Sequence, residues 1–366
     1  MSTDEQYMRR ALELAARGRG RTSPNPMVGC VIVSDGKIIG EGYHERAGGP
    51  HAEANAIADA RARFGPTASR LQSTAFYITL EPCTHHGKTP PCIDLLLKER
   101  PGRVVVAMED SNPLVAGKGI QALAAAGIPV EVGVLEAEAR RLNEAFIKFI
   151  TARRPFVIAK CAMTLDGKIA TRTGHSQWVT GEAARRRVHE LRDEVDAILV
   201  GSRTVMVDNP RLTTRLEDRV GKDPIRIILD AGDYLSPDSN VFRHKSQAPT
   251  WIAVTEPRDY PFANDVIRLP KGNGGVDMGA LMEELGRRDV TLLLIEGGGT
   301  TLASAFEDGI VDKVMFFIAP KIVGGREAIT PVEGVGLATM DEAVQLADVE
   351  TTHVGEDILV TGYVKQ

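Results

Sequence analysis

The sequence predicts two different α/β domains joined near residue 151, spanning 1–150 and 151–366. Three observations carry this expectation. The chain has 366 residues, more than the ~250–300 at which one hydrophobic core usually stops growing. In both halves short apolar runs alternate with helix-period segments, the rhythm of layered α/β folds. Between them TARRPFV, residues 151–157, combines charge with Pro155 and reads as a junction. No internal repeat stands out and the halves do not align with each other.

In the first half, Asp4 can cap a helix running to about Arg17, with Tyr7, Ala11 and Leu14 on one face and Gly18 or Gly20 ending it. VGCVIV at 28–33 and KIIGEG at 37–42 flank Ser34-Asp35-Gly36, a hairpin signal. HAEANAIADARAR then reads as a helix, TAFYITL as a buried strand, CIDLLLKE as a helix and RVVVAM as a strand; a last helix spans roughly Ala137 to Phe149. In the second half FVIAK, AILVG, PIRIILD and TWIAV are strands, with a helix from about Glu182 to Glu194. DMGALMEELGRR follows as a helix, VTLLLIEGGGTT as strand, glycine turn and helix start, and VDKVMFFIAP and DILVTGYV close as strands.

Composition narrows the function classes. Hydrophobic residues at 43 % and charged residues at 25 % are ordinary for a soluble domain. A net charge of -5 gives no global field for a polyanion. With 5 % aromatics, nucleic acid is not the expected partner and a small molecule is. MSTDEQYM lacks the basic and apolar regions of a secretory signal, no apolar run approaches the ~18 residues of a membrane helix, and four cysteines are few for this length. A reducing, cytoplasmic compartment is the expectation, with thiols serving as ligands or core residues.

Those thiols frame the first constellation. His51-Ala52-Glu53 stands at a helix start, Pro82-Cys83 just past a strand and Cys92 at the next helix start. One imidazole and two thiolates suit tetrahedral zinc with a fourth position left for water. Helix N-termini favour the thiolate form. Glu53 then stands where a zinc deaminase needs its proton shuttle, although the spacing from Cys83 to Cys92 is longer than the short P-C-x-x-C form. His85 or His86 as a fourth ligand would instead close the site into a structural knuckle, and Cys30 reads equally as core.

The second constellation is weaker from residues alone. LLLIEGGGTTLASAF aims backbone N–H groups of a glycine turn at a phosphate, but it is not G-x-G-x-x-G. Arg185, Arg186 and Arg187 read as a solvated helix face, with Arg192 on another. Asp208 and Arg215 flank the loop signal Asn209-Pro210, and Arg192 and Arg215 are credible phosphate ligands or plain surface ion pairs.

PNPMVGCVIV, HERAGGPHAEANA and TLEPCTHHGKTPPC together closely resemble the deaminase domain of the bifunctional riboflavin-biosynthesis deaminase/reductase family. The resemblance implies a cytidine-deaminase-like α/β domain with zinc ligands His51, Cys83 and Cys92, proton shuttle Glu53, and Asn25 holding the pyrimidine. KCAMTLDGKIA, SQWVT, GSRTVMVDNPRLTTR, IEGGGT and IAPKIVGG resemble that family's reductase domain, a dihydrofolate-reductase-like fold using NADPH. It implies cofactor positions at Ala162, Trp178, Thr204 and Asp208, with Gly298, Gly299, Thr300, Thr301 and Leu302 on the phosphates. Substrate positions are implied at Ser176, Arg192, Leu212, Arg215 and Glu296, with Lys160 also in reach. Ala231 stands where relatives commonly have Ser. The implied activity is zinc-dependent deamination of a diaminohydroxypyrimidine ribotide followed by NADPH reduction of its ribosyl group to ribityl, in a chain whose family suggests self-association.

Overall fold

The computed structural model describes residues 2–65, 71–86, 90–113, 115–230, 232, 235–272 and 275–365. The chain divides into two compact units, residues 1–153 and 154–366. Among the described residues no helix is long and apolar enough to cross a membrane.

The first unit opens with α1 (Thr3–Ala16). Its N-cap is Ser2, whose hydroxyl accepts the Glu5 N–H at 3.2 Å, so the expected cap at Asp4 moves two residues upstream. Asp4 is committed elsewhere, accepting from Arg103 Nη1 at 3.2 Å and from the Tyr77 hydroxyl. The hairpin β1 (Gly29–Ser34) and β2 (Lys37–Tyr43) turns through Asp35 and Gly36, both at positive φ (48° and 72°). That pair of left-handed residues is what a two-residue hairpin loop requires. Next come α2 (Ala52–Phe64), β3 (Ala75–Ile78), α3 (Cys92–Glu99), β4 (Arg103–Val106), α4 (Lys118–Ala125), β5 (Val130–Val132), α5 (Glu136–Leu142) and α6 (Glu144–Ala152).

The five strands run in the order β2-β1-β3-β4-β5, with β2, β3, β4 and β5 pointing the same way and β1 alone antiparallel to its two neighbours. Alternation along β1 builds a core on each side: Cys30 and Ile32 pack with Ala52, Ala56 and Ile57 of α2, while Val31 and Val33 pack with Met8, Ala11 and Leu14 of α1. The single helix expected over 137–149 is two, because Asn143 leaves helical geometry and its side chain closes on Met27. It accepts the Met27 N–H at 2.8 Å and donates to the Met27 carbonyl at 3.0 Å. Helix α4 and strand β5 are elements the sequence reading did not include.

In the second unit the elements are β6 (Phe156–Thr164), α7 (Glu182–Glu194), β7 (Ala197–Gly201), α8 (Ser202–Asp208), β8 (Ile225–Asp230), α9 (Asn240–Arg243), β9 (Thr250–Val254) and β10 (Asp265–Arg268). The short pair β11 (Lys271–Gly272) and β12 (Gly275–Val276) precedes α10 (Met278–Arg287), β13 (Leu292–Ile295), α11 (Gly299–Glu307), β14 (Lys313–Ala319), β15 (Leu346–Val354) and β16 (Asp357–Val364). Nine strands form one sheet, β10-β9-β8-β7-β13-β6-β14-β16-β15, parallel from β10 through β14 and antiparallel over the last three. Central strands buried on both faces explain the unbroken apolar runs AILVG and LLLI. Helix α8 occupies a stretch whose Asn209-Pro210 signal had suggested loop; the signal marks only its end, where Asn209 takes φ 43°.

Glycine sets how closely α2 rides on the hairpin. A Cβ at Gly42 would lie 2.3 Å from Ala56 N and 2.5 Å from the Ala52 carbonyl, so any side chain there displaces the helix that begins beside His51. Gly42→Val is expected to cost ~1–3 kcal/mol or more as overpacking and to reduce bound zinc. Thermal unfolding together with metal analysis checks this; an unchanged melting temperature and full metal content would contradict it.

Candidate active sites

In the first unit three donor atoms arrive from three element ends. His51 is the N-cap of α2 in extended backbone, and its ring makes no capping bond. Cys83 lies beyond β3, and Cys92 is the first residue of α3. His51 Nδ1 stands 3.2 Å from Cys92 Sγ and 3.5 Å from Cys83 Sγ, and the donor atoms of all three residues lie within 4.8 Å of one another. The side chains of His85 and His86 do not join this cluster, which removes the closed-knuckle alternative among the described residues. Soft sulfur with one imidazole is a zinc donor set, and three donors leave a fourth position for a reacting group.

Electrostatics fit the same use. The Cys92 thiol and, against the cost of burial, His51 and the Cys92 N–H at 3.3 Å hold the Cys83 thiol down to about 4. Cys92 is pushed up by its bond to Cys83 and by burial. Both thiols must be deprotonated to ligate, so a bound metal would release protons from the pair. Glu53, the second residue of α2, is only 2 % exposed, and burial pushes its carboxyl up.

Two supports were missed from sequence. Glu81 is buried and accepts N–H groups from Asp110 (3.1 Å), Gly117 (2.9 Å), Gly119 (2.8 Å) and Ile120 (3.3 Å). These bonds fasten the start of the Pro82-Cys83 turn to the segment leading into α4. His44 is buried with its Nδ1 3.0 Å from the Pro50 carbonyl and its Nε2 3.1 Å from Asn25 Nδ2, and its ring meets that of His51 edge-on at 5.1 Å. The Nδ1–H tautomer satisfies both bonds, leaving Nε2 to accept from Asn25. Asn25 is therefore held by His44, whose ring packs on that of His51, and no sequence pattern marks His44 for that task.

In the second unit every residue assigned to cofactor or substrate lines a single cavity of about 1240 Å³. Lys160 and Ala162 come from β6, Ser176 and Trp178 from the following loop, and Arg192 from α7. Thr204 and Asp208 come from α8, Leu212 and Arg215 from the segment after it, Glu296 from the end of β13, and Gly298 to Leu302 from the start of α11. Ala231 lies outside the described residues. Gly298 takes φ 74°, and a Cβ there would approach Thr204 Oγ1 to 3.2 Å, so glycine is required for the turn that opens α11 toward the cavity. Trp178 is 63 % exposed with the Arg185 guanidinium 4.7 Å above its ring. The volume, an exposed ring and a helix N-terminus suit a dinucleotide.

Arg192 is not a free phosphate ligand. Its Nε and Nη2 donate to the two Glu296 oxygens at 2.7 and 2.8 Å, and Lys160 Nζ lies 3.9 Å from the same carboxylate. Arg186 and Arg187 pair with Glu190 along α7, but the run is not simply the solvated face expected: Arg185 and Arg186 also line the cavity, and Arg185 donates to the Thr180 carbonyl at 2.8 Å. Ser176 donates to Asp208 at 3.4 Å. Arg215 turns its guanidinium onto Thr213 Oγ1 at 3.1 Å.

Fold and sites define a bifunctional enzyme class that carries a zinc-dependent deaminase unit and a dinucleotide-dependent reductase unit in one chain. Residues 1–108 match the cytidine and deoxycytidylate deaminase zinc-binding region, and residues 155–360 match the RibD C-terminal domain. The chain belongs to the RibD family, the bifunctional deaminase/reductase of riboflavin biosynthesis, which uses zinc and NADPH. It is 44 % identical to riboflavin biosynthesis protein RibD of Actinobacillus pleuropneumoniae, over 98 % of this chain and 94 % of that one. To the Escherichia coli protein it is 39 % identical over 97 % and 98 %. A solved RibD structure from Acinetobacter baumannii superposes with TM-score 0.88 at 34 % identity, covering 100 % and 99 % of the two chains. A Thermotoga maritima diaminohydroxyphosphoribosylaminopyrimidine deaminase/5-amino-6-(5-phosphoribosylamino)uracil reductase gives 0.85 at 37 %, covering 99 % of each.

Burial alone would raise the pKa of Glu296, but Arg192 and Lys160 outweigh it and hold the carboxyl below its usual range. A folded value below the unfolded ~4.3 means that the pair stabilises fully above about pH 5 and loses this contribution as pH falls through the folded value. Glu296→Gln leaves Arg192 buried without its counter-charge and is expected to cost ~3–5 kcal/mol near neutrality. Urea midpoints of parent and variant should therefore converge as pH falls below the ordinary carboxylate range; a gap independent of pH would contradict this origin.

Proposed function

We propose that residues 1–150 form the deaminase domain and 151–366 the reductase domain, with the roles assigned residue by residue as follows. His51, Cys83 and Cys92 hold zinc, and Glu53 moves the proton from water to the departing amine. Asn25, oriented by His44, aligns the pyrimidine. In the second domain Ala162, Trp178, Thr204, Asp208 and the loop 298–302 receive NADPH. Lys160, Ser176, Arg192, Leu212, Arg215 and Glu296 receive the ribotide. The observation that carries the reading is the three-donor cluster with buried Glu53 beside it.

When bound, zinc supplies a water of lowered pKa for attack on the amine-bearing ring carbon, and NADPH supplies the hydride for the ribosyl carbon. Burial of Glu53 keeps its proton exchange directed at the substrate rather than at bulk water. The Arg192–Glu296 pair leaves a carboxylate of fixed orientation with Lys160 beside it, a rigid polar wall for sugar hydroxyls. Arg215, with no carboxylate within ion-pair distance among the described residues, is the group suited to the phosphate. The net charge of -5 supports a free ribotide rather than nucleic acid as substrate. Four free cysteines support a cytoplasmic, reducing location.

Glu53→Gln is expected to retain zinc and to lose ammonia release by at least ~100-fold, within the range of a removed general acid/base, while still oxidising NADPH when given the deaminated ribotide. Retained deamination would remove Glu53 from its role. Cys83→Ser is expected to lower zinc content in metal analysis, and stoichiometric zinc would exclude it as a ligand. For the coupled reaction, the parent enzyme given only the diaminohydroxypyrimidine ribotide and NADPH should oxidise NADPH after a lag; ammonia release without oxidation would detach the second domain from the proposed sequence.

A further inference from the structure

Helix α7 presents His189 and Arg192 three residues apart, on neighbouring positions of one face. Both reach the segment 213–215. Arg192 Nη1 donates to the Thr213 carbonyl at 3.1 Å, and the main-chain N–H of Arg215 donates to His189 Nδ1 at 3.2 Å. Between these points Thr214 is fastened from another direction, its N–H donating to Asp223 Oδ1 at 2.8 Å and its hydroxyl to the Lys222 carbonyl at 2.7 Å. Three successive residues are thus tied down, and the amide of Arg215 is tied by an imidazole that itself lines the cavity.

Histidine is a particular choice for that position. An imidazole nitrogen accepts a hydrogen bond only while it carries no proton. The surroundings enforce the neutral ring: burial, then the Arg192 and Arg215 cations, hold His189 down to about 4, against the opposing pull of Glu296 and the Thr213 carbonyl. A lysine or arginine here would donate where an acceptor is needed and add a cation to a wall that already carries Arg192, Arg215 and Arg211. Because Arg192 is neutralised by Glu296, the uncompensated charge in this part of the cavity belongs to Arg215 and its neighbour Arg211. The direction in which Arg215 presents that charge depends on where its backbone is held.

We propose that His189 is a positioning residue for the reductase step, anchoring the Arg215 main chain so that the guanidinium is preset for the phosphate of the ribotide. This rests on the assignment of Arg215 to substrate.

Two variants and one control test it by steady-state NADPH oxidation with the deaminated ribotide and with its dephosphorylated riboside. His189→Leu fills similar space without an acceptor; its KM for the ribotide is expected to rise about tenfold with kcat little changed, the pattern of lost uniform binding. His189→Asn places Oδ1 at the same bond separation as Nδ1 and should stay within about twofold of the parent. NADPH binding and ammonia release from the deaminase substrate should be unaltered in both variants, and with the riboside the Leu variant and parent should coincide. A parental KM in His189→Leu, equal impairment in His189→Asn, an equal penalty with the riboside, or loss of NADPH binding would each overturn the positioning role. Arg215→Gln separates the two layers: an unchanged ribotide KM there would sink the Arg215 assignment itself, whatever the His189 variants do.

Discussion

A parallel sheet has a direction, and that polarity governs where chemistry can sit in both units. Strand carboxyl ends and the helix N-termini that follow them collect along one edge, bringing unpaired backbone N–H groups and short connecting loops together. His51 precedes α2, Cys83 follows β3 and Cys92 opens α3, so the metal donors are products of chain reversal at such ends. In the second unit Glu296 follows β13, Gly298 precedes α11 and α8 follows directly on β7. Side chains far apart in sequence converge because each element contributes its end and buries its middle.

Close approach makes that convergence accurate. Gly40 and Gly42 face α2 on the outer strand of the five-stranded sheet, where a Cβ would lie 2.4 and 2.3 Å from backbone atoms of Ala56. The helix can therefore rest on the strand, and His51 is placed by backbone contact rather than by flexible packing. Glu81 serves the opposite wall, converting four N–H groups into a rigid mount for the turn that carries Cys83. A carboxylate accepting from several amides orders the loop that supplies them. The metal donors are thus held on supports that are themselves fully bonded, the condition under which a site keeps its geometry through turnover.

The reductase cavity solves a different problem, the control of several cations in one wall. Arg192 and Glu296 are both buried, and a bidentate bond is what makes such a pair tolerable. It leaves a directional polar surface without net charge. Lys160 approaches the same carboxylate, and burial with the neighbouring Arg192 and Arg215 cations holds His189 in its neutral form, so neither adds an uncompensated cation beside the pair. Electrostatic preorganisation of this kind holds substrate without the protein having to reorganise as reaction proceeds.

By itself the sequence determined the periodic elements and the chemistry of the donors. CIDLLLKE, AILVG, TWIAV and DILVTGYV begin and end as expected, because strong apolar periodicity and helix starts are local properties. His51, Cys83 and Cys92 were legible because few residue combinations bind soft metals, and the remaining assigned positions came from whole motif blocks that match the family. Only the tertiary structure decided features that depend on partners distant in the chain. Asp4 was released from capping by Arg103 and Tyr77, and the expected last helix was cut at Asn143 by Met27. Arg192, legible only as a cation, became half of a buried pair once β13 brought Glu296 beside it. His44 and His189 gained their hydrogen-bonding partners only through folding. Sequence fixes which groups are available to donate, accept or ligate; burial and convergence fix which of them meet, since both depend on separations that local patterns do not encode.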